Sequence, residues 1–138
     1  MDPTIKKPQV ICIVDDGYLA AHITEVYTKL TIFTDIKVSD LTSSRKWEGC
    51  HIVVSTLGTL RNFCNARRPI DFSELRAIVI DEVDFFFHDD ELKKQLDGLN
   101  KGVFRKLKQK IQWILFSATY PEHVIEEVTK IAKEASII

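Results

Sequence analysis

Four short apolar runs divide the chain. They are Val10-Ile11-Cys12-Ile13-Val14, His51-Ile52-Val53-Val54, Ala77-Ile78-Val79-Ile80 and Gln112-Trp113-Ile114-Leu115-Phe116. They are continuous rather than alternating, the pattern of strands buried on both faces of a parallel sheet. Each runs into polar residues: Asp15-Asp16-Gly17, Ser55-Thr56, Asp81-Glu82 and Ser117-Ala118-Thr119. Helical periodicity fills the gaps. Leu19, Ile23, Val26, Tyr27 and Leu30 share one stripe and predict a helix over 18–30. Ser55 or Thr56 can cap a helix after the second run. An acidic group, Asp89-Asp90-Glu91, precedes a basic stretch over 101–110, where Val103, Phe104, Leu107 and Ile111 suit a helical stripe. Pro121 opens a last helix at a position that needs no N–H, with Val124, Ile125, Val128, Ile131 and Ala132 as its buried face. Weaker signals place a short strand at 35–38 and the start of another at Ser136. Strands alternating with amphipathic helices specify an α/β fold, a three-layer sandwich with a mainly parallel sheet. Function in such sheets gathers beyond the C-terminal strand ends, which singles out Asp15, Ser55, Asp81, Ser117 and their neighbours.

Composition narrows this picture. The 138 residues fit one domain, and 45% hydrophobic residues suffice for a core. A formal charge of −1 removes any bulk electrostatic case for nucleic-acid binding, so such binding must be local. Cys12, Cys50 and Cys64 have no paired metal spacing and read as reduced thiols of a cytoplasmic or nuclear protein. The start of the chain has no apolar signal core, and no run has the length of a membrane span.

Two segments carry candidate chemistry. Ile78-Val79-Ile80-Asp81-Glu82-Val83-Asp84 puts acids on a rigid strand tip. Hard oxygens there suit a magnesium ion whose other ligands are water and phosphate, and an adjacent carboxylate can orient and deprotonate a water. Solvated acids at a strand end explain this segment equally well. Ser117-Ala118-Thr119 ends the next apolar strand, from which two hydroxyls can reach Asp84. The plainer account is a helix cap before Pro121.

Together these segments resemble the DEAD-box RNA helicase family, first RecA-like domain. Asp81-Glu82-Val83-Asp84 is similar to its motif II with Val for Ala, and Leu115-Phe116-Ser117-Ala118-Thr119 to its motif III. Val53-Val54-Ser55-Thr56-Leu57-Gly58-Thr59-Leu60 resembles motif Ib, and the stretch from Pro8 to Ala20 aligns with motif Ia. The resemblance covers nearly the whole chain, 1–138, and implies a partial N-terminal RecA-like domain of the P-loop NTPase type. It implies ATP and Mg2+ as cofactors and RNA as a partner. Asp81 would hold magnesium through water and Glu82 would position the hydrolytic water. Asp84, Ser117 and Thr119 would couple nucleotide to domain closure. Thr56, Gly58 and Thr59 would meet RNA phosphates. Thr59 and the segment after Ile70 lean toward the mRNA-export subgroup. In motif Ia only Leu19 and Ala20 survive, with Asp15 and Asp16 where the family has Pro and a hydroxyl residue; the motif Ib Arg is replaced by Thr59. The resemblance also leads one to expect the phosphate-loop strand before Pro8 and a second RecA-like domain after Ile138. A sheet lacking the phosphate-loop strand would leave the 112–116 strand with an open edge, where Ala135 to Ile138 or a second molecule could pair.

Two other classes compete. In a response-regulator receiver domain, Asp15-Asp16 would be the acidic pair, Asp81 the phosphoacceptor and Ser117 or Thr119 the switch hydroxyl. The interval from Asp16 to Asp81 is too long for that, and the expected Lys after a fifth strand is missing. A non-catalytic binding module would use the basic face of 101–110, which a solvated helix explains more simply. His22, His51, His88 and His123 have no ligand spacing, and His88 and Phe85-Phe86-Phe87 read as packed residues.

Overall fold

A computed structural model describes residues 1–132. Its strands are β1 (Val10–Val14), β2 (Val38–Asp40), β3 (Ile52–Thr56), β4 (Ala77–Ile80) and β5 (Gln112–Leu115). Its helices are α1 (Gly17–Leu30), α2 (Leu57–Cys64), α3 (Val83–His88), α4 (Asp90–Gly102) and α5 (Glu122–Ile131). The strands form one parallel sheet in the order β2-β3-β1-β4-β5.

The two-residue period of the strands builds two cores. Ile11, Ile13, Val53, Ile78 and Ile80 face the layer that holds α2 to α5. Cys12, Val14, Val54 and Val79 face the other way, toward α1 through Ala20, Leu19, Ile23 and Tyr27. This is the expected three-layer sandwich, and it explains why the strands read as unbroken apolar runs.

Several boundaries differ from the sequence reading. The second strand forms at 38–40 rather than 35–38, because Ser39 and Asp40 are buried against the chain that follows. Asp40 there accepts from the Thr42 N–H at 2.7 Å and the Thr42 and Ser43 hydroxyls at 2.6 and 2.8 Å. The helix expected over 101–110 ends at Gly102, followed only by a 3-10 turn at Phe104–Lys106. The amphipathic helix lies earlier. Asp89 caps it by accepting from the N–H groups of Glu91 and Leu92 at 2.8 and 2.9 Å, and Leu92, Leu96 and Leu99 supply its apolar stripe. On α1, Val26 and Leu30 are exposed rather than buried, since a single helix on this face covers β1, β2 and β3 but leaves its own outer flank in water. Ile125 of α5 is likewise at the surface. Phe86 and Phe87 are core residues, whereas Phe85 and His88 are exposed, with the His88 ring 4.9 Å from that of His123. The strand expected from Ser136 lies outside the described residues.

Candidate functional site

Parallel pairing brings the polar strand ends into one row. Val14 of β1 is level with Thr56 of β3, Ile13 with Ile80 of β4, and Ile80 with Leu115 of β5. The Asp81 N–H donates to the Ile13 carbonyl at 3.1 Å and the Phe116 N–H to the Ile80 carbonyl at 2.9 Å. In strand order the edge therefore presents Thr56, Asp15-Asp16, Asp81-Glu82 and Ser117.

Motifs II and III meet directly. The Val83 N–H donates to the Phe116 carbonyl at 2.9 Å, tying the start of α3 to the end of β5. The Thr119 hydroxyl donates to Asp84 Oδ2 at 3.0 Å. The Ser117 hydroxyl donates to the Thr119 carbonyl at 2.7 Å. It also lies beside the Asp84 carboxylate and is the largest influence lowering that group's pKa, ahead of Thr119 and the Phe85 N–H. One hydroxyl proton serves one acceptor at a time, so Thr119 is the standing partner of Asp84 and Ser117 an alternative one.

Glu82 is unusual twice over. Its backbone is left-handed, with φ 53° and ψ 50°, at the N-cap of α3, and its side chain makes no capping bond. A residue with a Cβ pays for that conformation. Its carboxyl pKa is raised, first by the charge of Asp15, then by desolvation and by Asp81, Asp84 and Asp16. A carboxylate held among like charges is a better proton acceptor than a free one. Asp81 Oδ1 accepts the Glu82 N–H at 3.0 Å. Among the described residues no cluster of three His, Cys, Asp or Glu is arranged to hold a metal. The partly exposed Asp81 carboxylate on a rigid strand tip fits a magnesium ion that takes its remaining oxygens from water and phosphate.

The other end of the row is less acidic in function than in composition. Asp16 is the N-cap of α1, its Oδ1 accepting from the Leu19 N–H at 2.8 Å, and Asp15 Oδ1 accepts from the Asp16 N–H at 2.7 Å. Structural work thus occupies both acids that replace the family's motif Ia residues. Of the two cap candidates, Thr56 is the cap of α2. Ser55 is fully buried and donates to the Thr56 carbonyl at 3.0 Å. The Thr56 hydroxyl accepts from the Thr59 N–H at 3.4 Å and donates to the Thr59 hydroxyl at 3.0 Å. Around Gly58 a Cβ would meet nothing within 4 Å, so its backbone is open to a ligand. Thr56, Gly58 and Thr59 therefore share one exposed helix start.

Sequence reasoning missed the wall of the crevice beside Asp81. A cavity of about 310 Å3 is lined by Cys12, His22, Tyr27, Val79, Asp81 and Phe116, among others. Burial pushes the Cys12 thiol up to about 11 and the Tyr27 phenol up to about 12, so both are neutral at physiological pH. Tyr27 gave no sequence signal beyond its place in the α1 stripe.

A parallel sheet of this order, with acids and hydroxyls converging on adjacent strand tips, defines a RecA-like domain of the P-loop NTPase type. The chain belongs to the DEAD/DEAH box helicase family, whose model matches residues 2–128. It is 28% identical over 142 residues to the ATP-dependent RNA helicase dbp5 of Schizosaccharomyces pombe, covering 100% of this chain and 27% of that protein. It is 30% identical over 149 residues to the DEAD-box ATP-dependent RNA helicase 38 of Arabidopsis thaliana, covering 97% of this chain and 29% of that one. The fold superposes on S. cerevisiae Dbp5 bound to RNA and ADP BeF3 with a TM-score of 0.82 at 26% identity, covering 99% of this chain and 34% of that one. The chain thus spans about a third or less of the proteins it matches. The receiver-domain reading is set aside by these matches.

Proposed function

We propose that this domain is the nucleotide-coupling half of an ATP-dependent RNA helicase, in which RNA-stimulated ATP hydrolysis drives remodelling of RNA or of an RNA–protein complex. The hydrogen bond from Thr119 to Asp84 carries the reading, because it joins the acid-bearing strand tip to the neighbouring one and gives a nucleotide-dependent change a mechanical path. In this scheme Asp81 holds magnesium through water, Glu82 orients and deprotonates the attacking water, and Asp84 with Ser117 and Thr119 transmits the change. RNA phosphates lie against the α2 start at Thr56, Gly58 and Thr59, where free N–H groups and the helix dipole favour an anion. The matched relatives are named RNA helicases of the Dbp5 kind, and one of them is described bound to RNA and ADP BeF3, which supports both the substrate class and the mRNA-export subgroup. A second RecA-like domain would complete the nucleotide site, and a nuclear or cytoplasmic setting follows from the same likeness.

None of the 138 residues forms a Gly-rich, Lys-containing phosphate loop, so the chain alone is expected to turn over no ATP. It is expected to bind single-stranded RNA weakly and without sequence preference, since few cations face the phosphates and Asp15-Asp16 lies beside the contact. Fluorescence anisotropy with labelled oligouridylate, at two salt concentrations, tests this. Gly58→Asp should abolish the binding. Tight binding that survives Gly58→Asp would place RNA elsewhere.

A further inference from the structure

Helices α4 and α5 face each other across an open cleft of about 380 Å3. No residue of 56–59, 81–84 or 117–119 lines it, so the site already described does not account for it.

The anomaly in this cleft is Asn100. It is only 2% exposed, and its amide Nδ2 has no hydrogen-bond partner among the described residues. A buried donor without an acceptor is a standing cost that native folds ordinarily avoid. Helix propensity does not explain the residue either, because Asn competes with the backbone and is a poor choice inside a helix. An apolar side chain would continue the buried stripe of Leu92, Leu96 and Leu99 without that cost.

The charges around Asn100 point to the missing acceptor. Five cations and three carboxylates line the cleft. Asp97 is matched by Lys101 at 2.6 Å. Lys93 and Lys130 both bind a single oxygen of Glu127, each at 2.8 Å. Either lysine can therefore leave for a ligand while the other keeps Glu127 compensated. Arg105 Nη2 donates to the Lys130 carbonyl at 3.0 Å, a neutral acceptor that leaves its charge unmatched. Phe87 and Ile131 add an apolar part to the lining.

We infer that the cleft between α4 and α5 binds a small molecule that carries an oxyanion group, phosphate or carboxylate, beside an apolar body. The oxyanion accepts from Asn100 Nδ2 and is neutralised by Arg105 and by whichever of Lys93 and Lys130 is released from Glu127. The apolar body lies against Phe87 and Ile131. Such a ligand would clamp the two helices, and α5 follows directly from the motif III segment.

The test is a titration of the 15N-labelled 138-residue chain with inorganic pyrophosphate and, separately, with citrate, at an ionic strength held constant with NaCl. Saturable shifts of the Asn100 side-chain amide resonances are expected with at least one of them. The stronger of the two identifies the group as phosphate or carboxylate. Asn100→Leu should weaken binding about tenfold, the effect of losing one hydrogen bond to a charged group. Arg105 is exposed and outside the core, so Arg105→Gln supplies the same comparison if Asn100→Leu does not fold. The inference is overturned if neither anion gives saturable shifts, if both variants bind as the parent does, or if Asn100 contacts a bound water that neither anion displaces.

Discussion

Glu82 stands in a backbone conformation that its side chain disfavours and in a field that its charge disfavours. Both costs are open to substitution. The left-handed geometry costs a residue with a Cβ about 1 kcal/mol. Asn tolerates it well, so Glu82→Asn should recover most of that amount. Gly removes the steric cost but gives back about 0.5–1 kcal/mol through the greater freedom of its unfolded chain, so Glu82→Gly should come out near neutral. Glu82→Gln keeps the backbone cost and removes only the repulsion from Asp15 and its neighbours. For a domain of this size about 1 kcal/mol corresponds to roughly 3–5 °C in midpoint. Urea and thermal unfolding followed by circular dichroism should therefore rank Asn above Gln at neutral pH, with Gln above the parent. The pH dependence has a fixed sign. A carboxyl whose folded pKa is raised binds its proton more tightly folded than unfolded, so its contribution declines as pH rises from the ordinary glutamate range through the raised value. That decline should vanish in Glu82→Gln and shrink in Asp15→Asn, which removes the largest influence on Glu82. An Asn variant about 1 kcal/mol less stable than Gln would refute the argument, because it would show the Glu82 conformation to be unstrained or its side chain to be holding the fold. If the ranking holds, the carboxylate at position 82 is kept against stability, as expected of a group retained for chemistry.

Asp16→Ala should cost about 1 kcal/mol by removing the cap of α1, and urea unfolding should show it as a lower midpoint with unchanged slope. Thr119→Val should raise the Asp84 pKa toward the ordinary aspartate range, read by carboxyl-carbon NMR; in the parent the stabilisation from Asp84 is present above the unfolded value and lost as pH falls through the depressed one. Among the described residues β5 pairs only with β4, and Trp113, Ile114 and Leu115 are half-buried beside an exposed Phe116. Sedimentation across concentration should accordingly show self-association through that edge, and a monomer at high concentration with unprotected 112–116 amides would count against it.

The sequence by itself determined the strands, the layer arrangement and the acids and hydroxyls of the site. Continuous apolar runs admit only a sheet buried on both faces, and in a parallel sheet every strand delivers its last residue to the same edge. That is why Asp81, Ser117 and Thr56 could be named before their neighbours were known. Periodicity failed where two helical stripes were possible. The apolar residues at 103, 104, 107 and 111 fit a helix as well as Leu92, Leu96 and Leu99 do, and only the Asp89 cap and the packing of α4 against α2, α3 and the 3-10 turn decided between them. Tertiary structure alone decided the rest of the chemistry. The raised pKa of Glu82 depends on Asp15, a residue of another strand end, and the depressed one of Asp84 on hydroxyls that arrive from β5. Asn100 reads in sequence as an ordinary polar residue of a helix, and its unpaired donor exists only because α5 closes over it. Electric fields and buried hydrogen-bond deficits arise between elements, so no local pattern can encode them.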